Sequence, residues 1–111
     1  MPDLATRLQQ AAERTESDHA DVARVLDTNS RTVSRWLHGQ AAPRPDARER
    51  LLELIAVLEG LSGVVRPQAA HDWLFTPNAL LEHHKPVDLL REGAYRRVLG
   101  AIDALGEGVF V

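Results

Sequence analysis

The sequence contains no cysteine in its 111 residues. This absence excludes a disulfide framework, a thiolate metal site and a cysteine nucleophile. No apolar run approaches the roughly 20 residues that a membrane-spanning helix needs. The start, Met1-Pro2-Asp3, lacks the basic patch and apolar stretch of a signal peptide. We therefore expect a cytoplasmic protein without a membrane partner.

Lysine is almost absent, since Lys85 is the only lysine and the other twelve of the thirteen basic residues are arginines. The net charge of −3 excludes a protein that condenses nucleic acid through bulk charge. The arginines are unevenly distributed: residues 24–50 carry a local excess of three positive charges, and both flanks are acidic. A basic face must therefore lie in that stretch.

The histidines and serines of the sequence do not form a recognisable catalytic or metal-binding pattern. No pair of histidines has a metal-binding helical spacing with an acid nearby, and the two adjacent ones would point about 100° apart on a helix. No serine lies in a nucleophile elbow. The histidines are His19, His38, His71, His83 and His84. We expect neither an enzyme nor a metal site, and no cofactor.

The periodicity of the apolar residues is helical throughout, which predicts an all-α fold. Ser17 or Asp18 can cap the second helix, and Ser30 can cap a third helix that runs through Leu37. Asp46 is expected to open a long fourth helix. The inward positions of the first three helices are Leu4, Leu8, Ala11 and Ala12, then Val22, Val25 and Leu26, then Val33, Trp36 and Leu37.

Proline and glycine divide the second half of the chain. Each of three prolines suits a first helical turn, so we expect short helices at 67–75, 77–83 and 86–92, with Thr76 as the cap of the second. A final helix begins near Tyr95, and Gly106 is expected to end it. The whole chain then divides into a helix-turn-helix bundle (1–45), a connecting helix (46–63) and a C-terminal helical domain (64–111).

Residues 20–39 have the order helix, three-residue turn, helix, glycine. Ala23 is small enough for two helices to cross there, and Val33 and Trp36 lie one turn apart to dock the second helix. The run Thr-Val-Ser-Arg-Trp-Leu-His-Gly that ends at Gly39 resembles the Xre-type helix-turn-helix. The resemblance implies that the chain binds DNA, with its own promoter as the expected target.

The outward side of this second helix carries the side chains suited to base edges and phosphates. Asp27 departs from the pattern, because many members have glycine at that turn, although aspartate tolerates a left-handed backbone better than most residues. A single copy offers few arginines, so specific binding needs two copies on one duplex. The alternative is a scaffold whose outer face is idle. The expected DNA-binding residues are Arg31, Thr32, Ser34, Arg35 and Arg44.

Three motifs follow in the second half of the chain. They are Trp-Leu-Phe-Thr-Pro-Asn-Ala-Leu-Leu at 73–81, Pro-Val-Asp-Leu-Leu-Arg-Glu-Gly at 86–93 and Tyr-Arg-Arg-Val-Leu at 95–99. They resemble the toxin-binding domain of the Xre/MbcA/ParS antitoxin family. His83-His84 and Lys85 depart from it, because many members have glycine before a Thr-Pro pair. The resemblance implies an antitoxin whose partner is a RES-domain toxin that consumes NAD.

The last residues suit such a role, since Phe110 is flanked by two valines and preceded by glycines. A phenylalanine on a short arm can fill a pocket, and a terminal carboxylate can meet the arginines of a nucleotide site. The resemblance implies that this arm blocks the NAD cleft; the alternative is that Phe110 folds back on its own helix. The expected toxin-binding residues are Val109, Phe110, Val111, Gly108, Arg96 and Arg97.

Two functions therefore remain open. The first is an antitoxin that self-associates, forms a hetero-oligomer with its toxin and represses its own promoter. The second is a plain helix-turn-helix regulator whose C-terminal half only dimerises.

Overall fold

The computed structural model describes residues 3–108, which form seven α-helices and one short 3-10 helix. Within these residues there is no strand, and an isolated bridge between Asn78 and His84 is the extent of the β-pairing. The predicted all-α class is confirmed. The helices are α1 (Leu4–Glu13), α2 (His19–Leu26), α3 (Ser30–Leu37), α4 (Pro45–Ser62), α5 (Pro67–Leu74), the 3-10 helix (Ala79–Leu81), α6 (Pro86–Arg91) and α7 (Tyr95–Gly106).

Side-chain caps fix where the first helices begin. The Asp3 carboxylate accepts from the Thr6 amide at 2.8 Å, and this hydrogen bond lowers the pKa of Asp3. Of the two candidates for α2, Asp18 is the cap, and it forms a reciprocal capping box with Asp21. The prediction of Ser30 as the cap of α3 was wrong by one residue, because the Asn29 side chain accepts from the Thr32 amide and Ser30 is already helical.

The largest correction concerns residues 77–83, which do not form an α-helix. The Thr76 hydroxyl donates back to the Asp72 carbonyl at 2.6 Å and therefore does not cap a following helix. The Asn78 side chain accepts from the Leu80 amide instead, which starts only a 3-10 turn. The other boundaries differ by one residue: α4 begins at Pro45 rather than Asp46, and α5 and α6 each end one residue early.

The long helix α4 lies at the centre of the core and packs against α1, α2, α5 and α7. Its apolar stripe is buried almost completely, because helices from both the N-terminal and the C-terminal half of the chain pack against it. The buried residues of this stripe are Leu51, Leu54, Ile55, Val57, Leu58 and Leu61.

Helix α2 packs against α3, which follows it after a short turn, and also against α4 and α6. Its Val22 and Val25 face a small apolar void between the two halves of the chain. The void is closed from the other side by Leu54, Leu58, Leu74, Phe75, Val87 and Leu90. The inner side of α2 is therefore shared between the N-terminal bundle and the C-terminal helices.

A polar cluster joins α2 to α5 at the edge of this contact. His71 Nε2 lies 3.2 Å from the Asp21 carboxylate, and the His71 ring lies 4.9 Å from the Phe75 ring. The Arg24 guanidinium lies over the same Phe75 ring at 5.1 Å from its centroid. Phe75 is half-buried against the core, as expected for an aromatic anchor of a small helical domain.

The turn between α2 and α3 depends on a left-handed residue. Asp27 has φ of 53° and ψ of 48°, and its amide donates to the Ala23 carbonyl. This confirms the left-handed turn expected where related sequences have glycine. Two further residues with left-handed backbone, Glu82 and His83, have φ of 55° and 67° and follow the 3-10 helix.

Candidate functional site

The outer face of α3 carries two of the expected DNA-binding arginines. Arg31 and Arg35 are exposed and lie one turn apart, while Val33 on the opposite side is fully buried. Thr32 and Ser34 are only half-exposed. The face therefore presents two guanidinium groups flanked by two hydroxyls, a set that can contact phosphates and base edges.

Arg44 lies outside α3, directly before α4. It is exposed and makes no capping hydrogen bond through its side chain. Its guanidinium is thus unengaged in capping and remains a candidate for a phosphate contact. Arg44 therefore adds a positive charge to the N-terminal half, and its side chain is not held by a capping hydrogen bond at the start of α4.

Two other arginines of the basic stretch have roles inside the chain. Arg24 stacks on Phe75, and Arg50 donates to the carbonyls of Leu90 and Arg91 at 3.3 and 3.0 Å, which satisfies the end of α6. Gly93 makes room for Arg50, because a Cβ there would lie 3.2 Å from its Nη2. The charge available to DNA is therefore smaller than the count along the sequence indicates.

An acidic surface adjoins the turn between α2 and α3. Asp27 lines an open polar pocket together with Asp88 of α6 and Glu92 directly after it, and His84 and Arg91 complete the pocket. Carboxylates at this position repel phosphates that approach the turn. The acidic pocket therefore differs in charge from the side of α3 that carries Arg31 and Arg35.

The start of α7 carries the two expected toxin-binding arginines. Both are exposed; the Arg96 guanidinium lies 5.8 Å from the Tyr95 ring centroid, and Arg97 Nη2 lies 3.4 Å from Glu82 Oε1. Gly108, at the opposite end of the helix, is exposed and has φ of +75°. Val109, Phe110 and Val111 lie outside the described residues.

Two large apolar side chains in the described part of the chain are exposed, and the sequence analysis missed both. Val64 is 40% and Leu80 is 37% exposed, and both belong to the C-terminal half. Val64 adjoins the end of α7, since a Cβ on Gly106 would lie 2.8 Å from its Cγ1. Leu80 lies beside the buried Leu81 in the 3-10 turn, and apolar character alone does not show which of two adjacent leucines faces the core.

Within residues 3–108, neither surface contains a metal-binding group of titratable side chains. Among residues 3–108, no group of three His, Asp or Glu side chains is placed to hold a metal ion. Arg7, whose pKa is raised by a 2.8 Å ion pair with Glu59, joins α1 to α4 rather than forming part of either surface. No helix in this part of the chain has the length and apolarity to span a bilayer.

The C-terminal half of the chain, whose helices are described above, also matches a known protein family in sequence. The family model described as the antitoxin Xre/MbcA/ParS C-terminal toxin-binding domain matches residues 53–108. The chain belongs to the Xre/MbcA/ParS antitoxin family. The match begins inside α4 and includes α7, so both Arg96 and Arg97 lie within the matched domain.

Relatives within the Xre/MbcA/ParS family are similar over nearly the whole chain. The mycobacterial cidal antitoxin MbcA of Mycobacterium tuberculosis is 44% identical over 108 residues, which is 97% of this chain and 96% of that protein. A probable mycobacterial cidal antitoxin of the same organism is 34% identical over 91 residues, covering 82% and 77% of the two chains.

A solved structure extends the similarity to the fold. A chain from the crystal structure of the M. tuberculosis MbcT-MbcA toxin-antitoxin complex matches with a TM-score of 0.89 and 43% identity, and all of both chains is covered. The similarity therefore includes the N-terminal bundle as well as the toxin-binding domain. Membership of an antitoxin family points to a regulatory role without catalysis.

Proposed function

We propose that this chain is a cytoplasmic antitoxin that binds and neutralises a RES-domain toxin and blocks the toxin's NAD site with its C-terminal arm. The observation that carries the proposal is the similarity over the full chain to a protein from a toxin-antitoxin complex. The match of residues 53–108 to a toxin-binding domain supports the same assignment.

The arm begins directly after Gly108, at the end of α7. Gly108 adopts a left-handed conformation that turns the chain off the helix axis. The apolar Val109, Phe110 and Val111 then enter the NAD cleft of the toxin and exclude the nucleotide by occupying its space. Arg96 and Arg97 contact the rim of that cleft. Neutralisation by this route needs no cofactor and no chemistry in the antitoxin itself.

The test is co-expression with the toxin encoded by the neighbouring reading frame. We expect the two proteins to co-purify, and cellular NAD to fall when the toxin is expressed alone but not when this chain is present. A complex that leaves NAD loss unchanged contradicts the blocking of the NAD site. The absence of any complex contradicts the antitoxin assignment and favours a plain regulator.

A second function, repression of its own promoter, is favoured by the exposed Arg31 and Arg35 on α3. Thr32, Ser34 and Arg44 supply the remaining contacts of the proposed interface. Because each copy offers only a few cations, binding requires two copies held together by self-association or by the toxin complex. This need for assembly makes DNA binding depend on the oligomer rather than on the single chain.

Replacement of Arg31 and Arg35 by alanine tests the DNA interface. We expect affinity for the promoter fragment to fall about 100-fold, and the slope of log affinity against log salt to become shallower by about 0.9 for each phosphate that is no longer neutralised. The matched control removes two exposed arginines outside α3, as the double variant Arg14→Ala with Arg66→Ala. Equal effects of both variants would mean that only general charge matters, and unchanged binding would identify α3 as an idle scaffold.

A further inference from the structure

Gly100 is an unexplained glycine in the middle of α7. It is exposed and helical, and it is not among the glycines with positive φ. A Cβ built on it would meet no atom within 4 Å. Neither the backbone conformation nor any neighbour within residues 3–108 therefore requires glycine at this position.

A glycine that the fold does not require is unexpected here, because glycine destabilises the interior of a helix. Alanine at the same position would favour the helix through its smaller loss of backbone entropy. Gly60 in α4 offers a comparison, since a Cβ there would contact Ile102 Cγ2 at 3.8 Å and Leu99 Cδ2 at 3.9 Å. Gly60 therefore lies at the contact between α4 and α7, whereas Gly100 lies on the exposed side of α7.

Gly100 lies on one continuous outward face of α7. The helical period places Gly100 within about 60° of Arg96, Asp103 and Glu107, and all of these residues are exposed. The opposite side of the helix, with Val98, Ala101 and Ile102, is buried. The outward face is therefore basic at its start, bare at its middle and acidic at its end.

We propose that the toxin packs a segment of its own backbone along this face of α7, with its closest approach at Gly100. A surface glycine lets another main chain come nearer than any side chain would allow. The charges predict acidic groups of the toxin opposite Arg96 and basic groups opposite Asp103 and Glu107. This contact rests on the proposed antitoxin function and adds a second toxin-binding element to the arm.

The position of the face favours the toxin as its occupant. Gly100 lies within residues 53–108, the region matched by the toxin-binding domain. It is six residues before Gly106, which is about 9 Å along the helix axis. A toxin that holds the arm beyond Gly108 must pass the end of α7, where the exposed Val64 offers apolar surface beside it.

The experiment compares Gly100→Ala with Gly60→Ala, two glycine replacements in helix interiors. We expect each to raise the Tm of the free protein by about 4 °C, because both favour the helix without a clash. Only Gly100→Ala should weaken toxin binding, by about 10-fold, and Gly100→Leu should weaken it by about 100-fold or more. Affinity is measured by competition with labelled wild-type chain for the co-expressed toxin.

Each outcome decides the matter. The proposal is overturned if Gly100→Leu competes as well as the wild-type chain, or if it changes self-association while leaving toxin binding intact, which would assign the face to a second copy. Failure of the wild-type chain to bind the toxin overturns the proposed function together with this contact. A wild-type complex that tolerates Gly100→Leu overturns the contact alone.

Discussion

Removal of Val109, Phe110 and Val111 is expected to abolish neutralisation and leave the folded helices intact. The reason is that α7 ends at Gly106, before the arm begins, and its buried stripe of Val98, Ala101 and Ile102 is complete without it. We expect cells that carry the truncated chain and the toxin to lose NAD as fast as cells with the toxin alone. The Tm of the truncated chain should stay within about 2 °C of the wild type.

Single substitutions separate an inserted arm from one that folds back. Phe110→Ala should weaken the toxin complex by about 2–4 kcal/mol, the range for an aromatic anchor in a pocket, with no change of Tm. Val109→Ala is the matched control and should have a much smaller effect. If Phe110→Ala instead lowers the Tm and spares the complex, Phe110 packs against its own final helix and the blocking of the NAD site is wrong.

Leu58→Ala should cost about 3–4 kcal/mol of unfolding free energy. Leu58 is 1% exposed and lines the small void between α2, α4, α5 and α6, so the substitution enlarges a space that already exists. A domain of this size is stable by roughly 5–15 kcal/mol, so the loss is a large share of the total and should lower the Tm by more than about 10 °C. Leu52→Ala, half-exposed on the same helix, is the control and should cost about 1 kcal/mol or less.

The same variant tests whether the two halves unfold together. Trp36 lies in α3 and Trp73 in α5, so Trp36→Phe and Trp73→Phe backgrounds each leave one fluorescent reporter per half. We expect Leu58→Ala to shift both urea transitions by the same amount, because α2 and α4 connect the halves. Two separate midpoints would show that the shared contact does not couple them.

Most helices could be predicted because their signals are local. The apolar period of three to four residues, the Asp18 cap and the prolines that begin α5 and α6 act within one or two turns, and the structure follows these signals. Residues 77–83 failed because local polar groups compete. The Thr76 hydroxyl donates to the preceding Asp72 carbonyl, and the Asn78 side chain accepts from the Leu80 amide. The helix-starting preference of Pro77 does not outweigh these two local hydrogen bonds.

The roles of individual arginines could not be predicted from spacing. Arg50 satisfies carbonyls forty and forty-one residues away, and Asp21 meets His71 across fifty residues. Only the tertiary fold brings such groups together, so the count of positive charge between 24 and 50 overstated the basic face. Arg31 and Arg35 were accessible to prediction because a buried Val33 between them fixes the outward side of α3.

The shared inner side of α2 restricts how such proteins can be recombined. A chimaera that takes its first 45 residues from an unrelated protein would uncover Leu74, Val87 and Leu90, which Val22 and Val25 face across the void. Exposed apolar patches of this kind promote aggregation. The outer positions of α3 can therefore change independently, while the inner positions of α2 must be transferred together with the C-terminal helices that they cover.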